Sequence, residues 1–151
     1  MKRITMIVAA LAMGIMATTA ACVSMYDGDR LIGFDELPEA AKKFITAHFA
    51  DKKISHIIYD SDIDDRDYKV DFEDGTEIKF DSDGDWRKVD CHHKAIPAKI
   101  IPSKIALYVE RNFAGEQIEE ISRKWNEWEV ELTNGIELEF DNRFKLRKID
   151  D

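Results

Sequence analysis

The hydrophobic pattern of the chain switches twice from a helical period to a strand period. Apolar residues recur at i, i+3, i+4 and i+8 over 41–49 and again over 105–113, with His48 and Asn112 at i+7, which is the spacing of one helix face. At 68–73 and 128–133 apolar and polar residues strictly alternate, as they do in a strand with one buried side. The pattern therefore predicts two helices, each followed by strands.

The same order of elements is visible as an internal similarity. Residues 37–57 align with 101–121, and residues 68–90 align with 128–150, where eight of 23 positions are identical. Asp74-Gly75 and Asn134-Gly135 are hairpin signals between alternating segments. We predict an α+β fold of two tandem repeats, each one helix followed by a four-stranded antiparallel meander, with the helices packed on one face of the sheet.

The N-terminus carries an export signal. Lys2 and Arg3 precede an apolar run and the small-residue stretch "TTAACVS". The organisation predicted is a signal peptide at 1–21, an N-terminal tail at 22–36, one repeat at 37–93 and a second at 94–151, in a protein of the periplasm. Cleavage after Ala20 or Ala21 fits the small-residue rule, and Cys22 fits a lipidation site, so both a free and a lipid-anchored form stay open.

Charge narrows the function classes. The chain has 31 acidic and 22 basic residues, and loss of residues 1–21 removes two basic and no acidic groups, changing the formal net charge from −9 to −11. Such a surface repels phosphate backbones, which argues against nucleic-acid binding, and membrane contact is expected only through a lipid anchor.

The polar side of the predicted sheet is mainly acidic. It is either a solvated face or a docking surface for a basic protein partner in the cell envelope. The residues predicted to bind the partner are Trp125, Glu129, Glu131, Glu137 and Glu139. Trp125 is the better interface candidate, whereas Trp128 is assigned to the core.

Two acidic stretches raise the alternative of a calcium-responsive protein. The candidate calcium ligands are Asp81, Asp83 and Asp85 in "FDSDGDWRKVD" and Asp60, Asp62 and Asp64 in "YDSDIDDRD". Neither stretch completes the ligand spacing of an EF-hand loop. The equivalent of 83–85 in the second half is Arg143-Phe144-Lys145, so a tight turn that places Gly84 in the left-handed region is favoured over a metal loop.

No catalytic motif is present, and no enzymatic activity or cofactor is expected, calcium excepted. His48 occupies an apolar helix face and is interpreted as a structural residue. Cys91 with His92 and His93 could suggest a thiolate or metal site, but neighbouring residues of an extended segment point to opposite sides.

The order of these features resembles the PepSY-like, or beta-lactamase-inhibitor-like, exported proteins of the Bacteroides group. The resemblance covers about 37–150. It rests on Leu37, Pro38, Phe44, Ile45, Phe49, Gly75, Phe80, Asp81, Gly84, Trp86, Val89, Asp90, Cys91 and Pro102. It implies a non-enzymatic binding or inhibitory module in the envelope, whose partner would be a peptidase or other hydrolase.

Overall fold

The computed structural model describes residues 28–61 and 66–151. A 3₁₀ turn at Phe34–Glu36 precedes the first helix. The helices and strands of the described residues are β1 (Arg30–Leu31), α1 (Glu39–His48), β2 (Ile54–Asp60), β3 (Asp67–Phe72), β4 (Glu77–Asp81), β5 (Trp86–Asp90), α2 (Ser103–Asn112), β6 (Ile118–Arg123), β7 (Glu127–Leu132), β8 (Glu137–Asp141) and β9 (Leu146–Asp150).

Local sequence accounts for both helices. Pro38 and Pro102 immediately precede them, where the missing proline N–H leaves no intrahelical bond unmade. Each helix has ten residues and turns two apolar side chains fully inward, Ala41 and Ile45 in α1 and Ile105 and Val109 in α2. No helix in the described ranges is long and apolar enough to cross a membrane.

The prediction of two tandem repeats is wrong. The strands of the described residues form one antiparallel sheet in the order β1 to β9, with only two short α-helices, so the fold is mostly sheet. The halves are not separate units because β5 and β6 pair, with Val89 opposite Ile121 and both fully buried. Pairing covers the open edge of β5, which would otherwise expose a row of unbonded backbone groups.

One core joins the helices to the sheet. The buried residues of α1 and α2 belong to the same cluster as those of the strands. Phe44 of α1 meets Phe80 edge-on at 5.7 Å, and Tyr108 of α2 meets Phe140 in the same way at 5.4 Å. The helices therefore cover one face of the sheet and leave the opposite face to solvent.

Aromatic rings bridge the middle of the sheet on the helix side. Trp86 of β5 stacks on Phe44 at 5.8 Å and meets Trp128 of β7 edge-on at 5.9 Å. The guanidinium of Arg123 lies 4.6 Å from the Trp86 ring centre. Trp128 packs against the core, as the sequence predicted.

The β4–β5 turn is pressed against the start of α1. Gly84 has φ +85, and a Cβ built there would lie 2.7 Å from the Cβ of Pro38 and 3.0 Å from the amide nitrogen of Ala41. Only glycine combines the left-handed conformation with this close approach. The turn interpretation of this stretch is confirmed, since the Gly84 amide donates to the Asp81 carbonyl.

Candidate protein-binding face

The face opposite the helices carries a continuous line of acids across the sheet. Because side chains alternate along a strand and neighbouring strands are about 4.7–4.9 Å apart, residues paired in register form straight rows. The row, named here the carboxylate row, begins beside His56 of β2 and consists of Asp71, Glu77, Asp90, Glu120, Glu131, Glu137 and Asp150.

The adjacent row, two residues along each strand, divides by sign. Over β3 to β5 it holds Lys69, Lys79 and Lys88, and over β7 and β8 it holds Glu129 and Glu139. The polar face thus has a mixed half and an acidic half.

Lysines neutralise the mixed half. Lys69 lies 2.9 Å from Glu77 and 3.5 Å from Asp71, and Lys88 lies 2.7 Å from Glu120. Burial opposes charge on Lys88, but its hydrogen bond to Glu120 and the nearby carboxylates prevail and raise its pKa. The same balance raises the pKa of Lys69, where Glu77 is the main partner.

The acidic half consists of two pairs of glutamates that face each other across strands β7 and β8. Glu129 faces Glu139 and Glu131 faces Glu137 across the strands. Lys124 reaches Glu129 at 2.8 Å, and Lys148 lies 3.8 Å from Glu139. Within the described part of the chain, Glu131 and Glu137 have no ion pair. Negative charge is therefore concentrated at Glu131 and Glu137.

Glu120 shows the electrostatic consequence of the carboxylate row. Burial raises its pKa most, and the carboxylates of Asp90 and Glu131 on either side raise it further, against the lowering effect of Lys88. The raised pKa of Glu120 thus reflects its burial and the carboxylates beside it in the row.

Trp125 stands at the end of this face, in the β6–β7 turn. The turn is closed by a bond from the Lys124 amide to the Glu127 carbonyl, and the Trp125 side chain is 93% exposed. It lines a concavity of about 490 Å³ together with Lys79, Arg87 and Arg123. The concavity is mainly cationic, with Lys124 also in its lining. Exposed tryptophan is a residue type that is common in protein interfaces.

The geometry of Asp81 serves the turn. Its Oδ1 accepts the amides of Asp83 and Asp85 at 3.1 and 2.9 Å, and its Oδ2 pairs with Arg87. Asp141 accepts the amides of Arg143 and Lys145 at 2.8 and 2.9 Å in the same pattern. Both carboxylate oxygens of Asp81 therefore have partners within and beside the turn.

The remaining candidate metal ligands are dispersed or lie outside the structure. Asp85 is directed toward Arg123, 3.8 Å away, and Asp60 is at the end of β2. Among residues 28–61 and 66–151, no group of three or more histidine, cysteine, aspartate or glutamate side chains is arranged to hold a metal. Asp62 and Asp64 lie outside the described residues, as do the predicted signal peptide and Cys22.

Cys91, at the start of the connector between the halves, is buried. Burial raises the pKa of its thiol. His92 and His93 follow with φ of 45 and 61, so the chain reverses sharply there. His93 lies 3.3 Å from the buried carboxylate of Glu119.

Sequence reasoning missed the members of the carboxylate row that lie at the seam and the edge of the sheet. Asp90 and Glu120 become neighbours only through the pairing of β5 with β6, which no local sequence pattern predicts. The recurring ends of β5 and β9, "RKVD" and "RKID", could have pointed to Asp90 and Asp150.

Comparison with known proteins places the chain in a family. Residues 66–148 match the family model described as "Putative beta-lactamase-inhibitor-like, PepSY-like". No curated protein is significantly similar to the chain.

Three solved structures from Bacteroides species share the fold and have 33–37% sequence identity to this chain. A "putative calcium-regulated periplasmic protein" of Bacteroides thetaiotaomicron has 37% identity and a TM-score of 0.80, over 82% of this chain and 97% of that one. A "putative periplasmic protein" of Bacteroides vulgatus has 35% identity and a TM-score of 0.80, over 83% and 98%. A second protein of that species, of unknown function, has 33% identity and a TM-score of 0.78, over 82% and 100%. The chain belongs to the PepSY-like, beta-lactamase-inhibitor-like family.

Proposed function

We propose that this protein is a non-enzymatic periplasmic binding module that docks a basic protein partner on its acidic half. The periplasmic location is supported by the names of the related Bacteroides proteins. The inhibitor-like name of the family supports a peptidase or other hydrolase as the class of partner, by analogy of fold.

The observation that carries the proposal is the pairing of like charges on β7 and β8. Like charges directly opposite in an antiparallel pair destabilise it, and here two such pairs adjoin, Glu129 with Glu139 and Glu131 with Glu137. A face needed only for solubility has no use for this arrangement, since mixed charges serve as well. Repulsion retained in the free protein is relieved when a cationic surface binds.

The rest of the face supports an oriented complex. Lys69 and Lys88 make the opposite half mixed in charge, so a basic partner has one favoured position. Trp125 at the rim supplies apolar area for an anchor, while the carboxylates supply long-range attraction.

Site-specific photocrosslinking tests the proposal. A photoreactive residue is placed at Glu131, and at Glu110 as a control, because Glu110 is an exposed glutamate on α2, away from the polar face. In envelope extract we expect one basic protein to crosslink at Glu131 and not at Glu110. The captured protein is then identified by mass spectrometry and purified.

Affinity for the purified partner is the decisive measurement. Glu131→Lys with Glu137→Lys is expected to weaken binding at least about tenfold, and rising salt should weaken binding of the native protein. Glu110→Lys, a reversal on the other side, should leave affinity unchanged. Equal affinity of the double variant and the native protein would refute docking on this face.

The Bacteroides thetaiotaomicron relative is named as a calcium-regulated protein. In this chain calcium responsiveness stays a prediction, with Asp60, Asp62, Asp64, Asp81, Asp83 and Asp85 as the candidate ligands. A rise in melting temperature with calcium that is lost in Asp62→Asn with Asp64→Asn would establish it, and no rise would remove it.

A further inference from the structure

The two edge strands of the sheet differ in length. At one edge, β1 has only two residues, Arg30 and Leu31, paired with Tyr59 and Ile58 of β2. At the other edge, β9 runs for five residues and, among the described residues, pairs only with β8. A short edge strand resists pairing with another chain, whereas a longer one offers a row of backbone donors and acceptors.

Comparison with β5 shows what a second flanking strand would provide to β9. The two strands share the sequence Arg-Lys-apolar-Asp, but β5 is flanked by β6. As a result Val89 is fully buried and Lys88 reaches Glu120 of β6 at 2.7 Å. In β9 the corresponding Ile149 is 49% exposed, and Lys148 pairs within its own strand with Asp150.

The charges on β9 are complementary to a second copy of themselves. In an antiparallel pair centred on Ile149, each Lys148 lies opposite Asp150 of the other copy, and each Arg147 lies opposite Asp151. Centring the pair on Lys148 would instead set two ammonium groups against each other. One register is therefore selected, and it covers both Ile149 side chains.

We propose that β9 pairs with β9 of a second copy in a two-fold symmetric dimer centred on Ile149. The contact is isologous, so it closes at two subunits and leaves no free β9 edge. The rotation keeps both sets of helices on one side, and the two acidic halves then lie next to each other on the opposite side.

Sedimentation analysis of the purified protein with charge variants tests the dimer. The native protein should dimerise in the micromolar range. Lys148→Asp sets four carboxylates together and should weaken dimerisation at least about tenfold, as should Asp150→Lys. The double variant Lys148→Asp/Asp150→Lys restores the opposite charges across the interface, so it should restore the dimer.

Lys145→Asp is the matched control, because it makes the same charge change in the β8–β9 turn and should leave the dimer intact. Hydrogen exchange adds a second readout, since the Ile149 amide should become protected as concentration rises. A native protein that stays monomeric, or a dimer that survives both single reversals, would overturn the proposal.

Discussion

At the residue scale, carboxylates of this protein have two distinct uses. Asp81 and Asp141 organise turns by accepting two backbone amides each. The backbone amides of Lys145 and Arg143 lower the pKa of Asp141, with burial opposing them. Glu131 and Glu137 make no such bonds within the described residues, and in the proposed function their charge attracts the basic partner.

Replacement of Asp81 separates the turn interpretation from the metal interpretation. Asp81→Ala removes the acceptor of two amides and the partner of Arg87, and we expect it to lower the free energy of unfolding by about 1–2 kcal/mol. Asp141→Ala, which removes the same two amide bonds, should also destabilise the protein. Urea unfolding with calcium and with a chelator should give the same loss, whereas a loss seen only with calcium would indicate a metal ligand.

The pH dependence of stability has an identifiable source in Asp74. A hydrogen bond from Lys52 holds the pKa of this carboxyl well below its usual range, with burial opposing and with smaller contributions from Thr76 and Lys94. A group with a lowered folded pKa stabilises the protein above its unfolded pKa and ceases to do so as the pH falls toward the folded value.

Asp74→Asn isolates the charge, because Asn134 fills the corresponding turn position and keeps the same bond to the amide two residues on. We expect the variant to be less stable by roughly 0.5–1 kcal/mol at neutral pH, since the pair is partly solvated. The difference from the native protein should shrink below about pH 4. Urea unfolding across this range measures it, and a constant difference at all pH values would contradict the assignment.

At the scale of elements, local signals predicted the helices and hairpins correctly, and long-range pairing was missed. The apolar stripe ending at Phe49 and the Asp74-Gly75 turn depend on neighbours in sequence, so α1 and the β3–β4 hairpin could be read directly. The pairing of β5 with β6 joins strands separated by a connector and a helix, and the two-residue β1 has no pattern to detect. The split into tandem units failed for that reason.

The candidate site was predictable to the same extent. Alternation along β7 and β8 placed Glu129, Glu131, Glu137 and Glu139 on one face, because each strand reveals its own sides. Prediction of the full carboxylate row would have required the register between strands, which the sequence of a single strand does not determine.

Glycine substitutions measure how firmly α1 holds the β4–β5 turn. Gly84 and Gly135 both have φ +85, but only at Gly84 would a Cβ collide with neighbouring atoms, whereas nothing lies within 4 Å of one at Gly135. Gly135→Ala should cost about 1–2 kcal/mol for the left-handed conformation. Gly84→Ala should cost roughly 1–3 kcal/mol more for overpacking. Equal losses in thermal or urea unfolding would show that the helix yields easily.

At the scale of the whole molecule, the proposed function predicts a conflict between stability and binding. Neutralising the repulsion with Glu131→Gln and Glu137→Gln should raise the free energy of unfolding of the free protein by roughly 0.2–1 kcal/mol. The same change should weaken binding to the basic partner. Unfolding curves and affinities measured on one preparation test both, and a variant that is less stable would contradict the repulsion argument.

The pairing of β5 with β6 has a consequence for the order in which the sheet is completed as the chain is synthesised. Strands β2 to β5 are synthesised before β6. Val89 and the backbone groups on the outer edge of β5 therefore have no partner strand while the connector and α2 are being made. Until β6 pairs with it, β5 is an open sheet edge of the kind that promotes aggregation. Completion of one later strand, β6, ends that hazard.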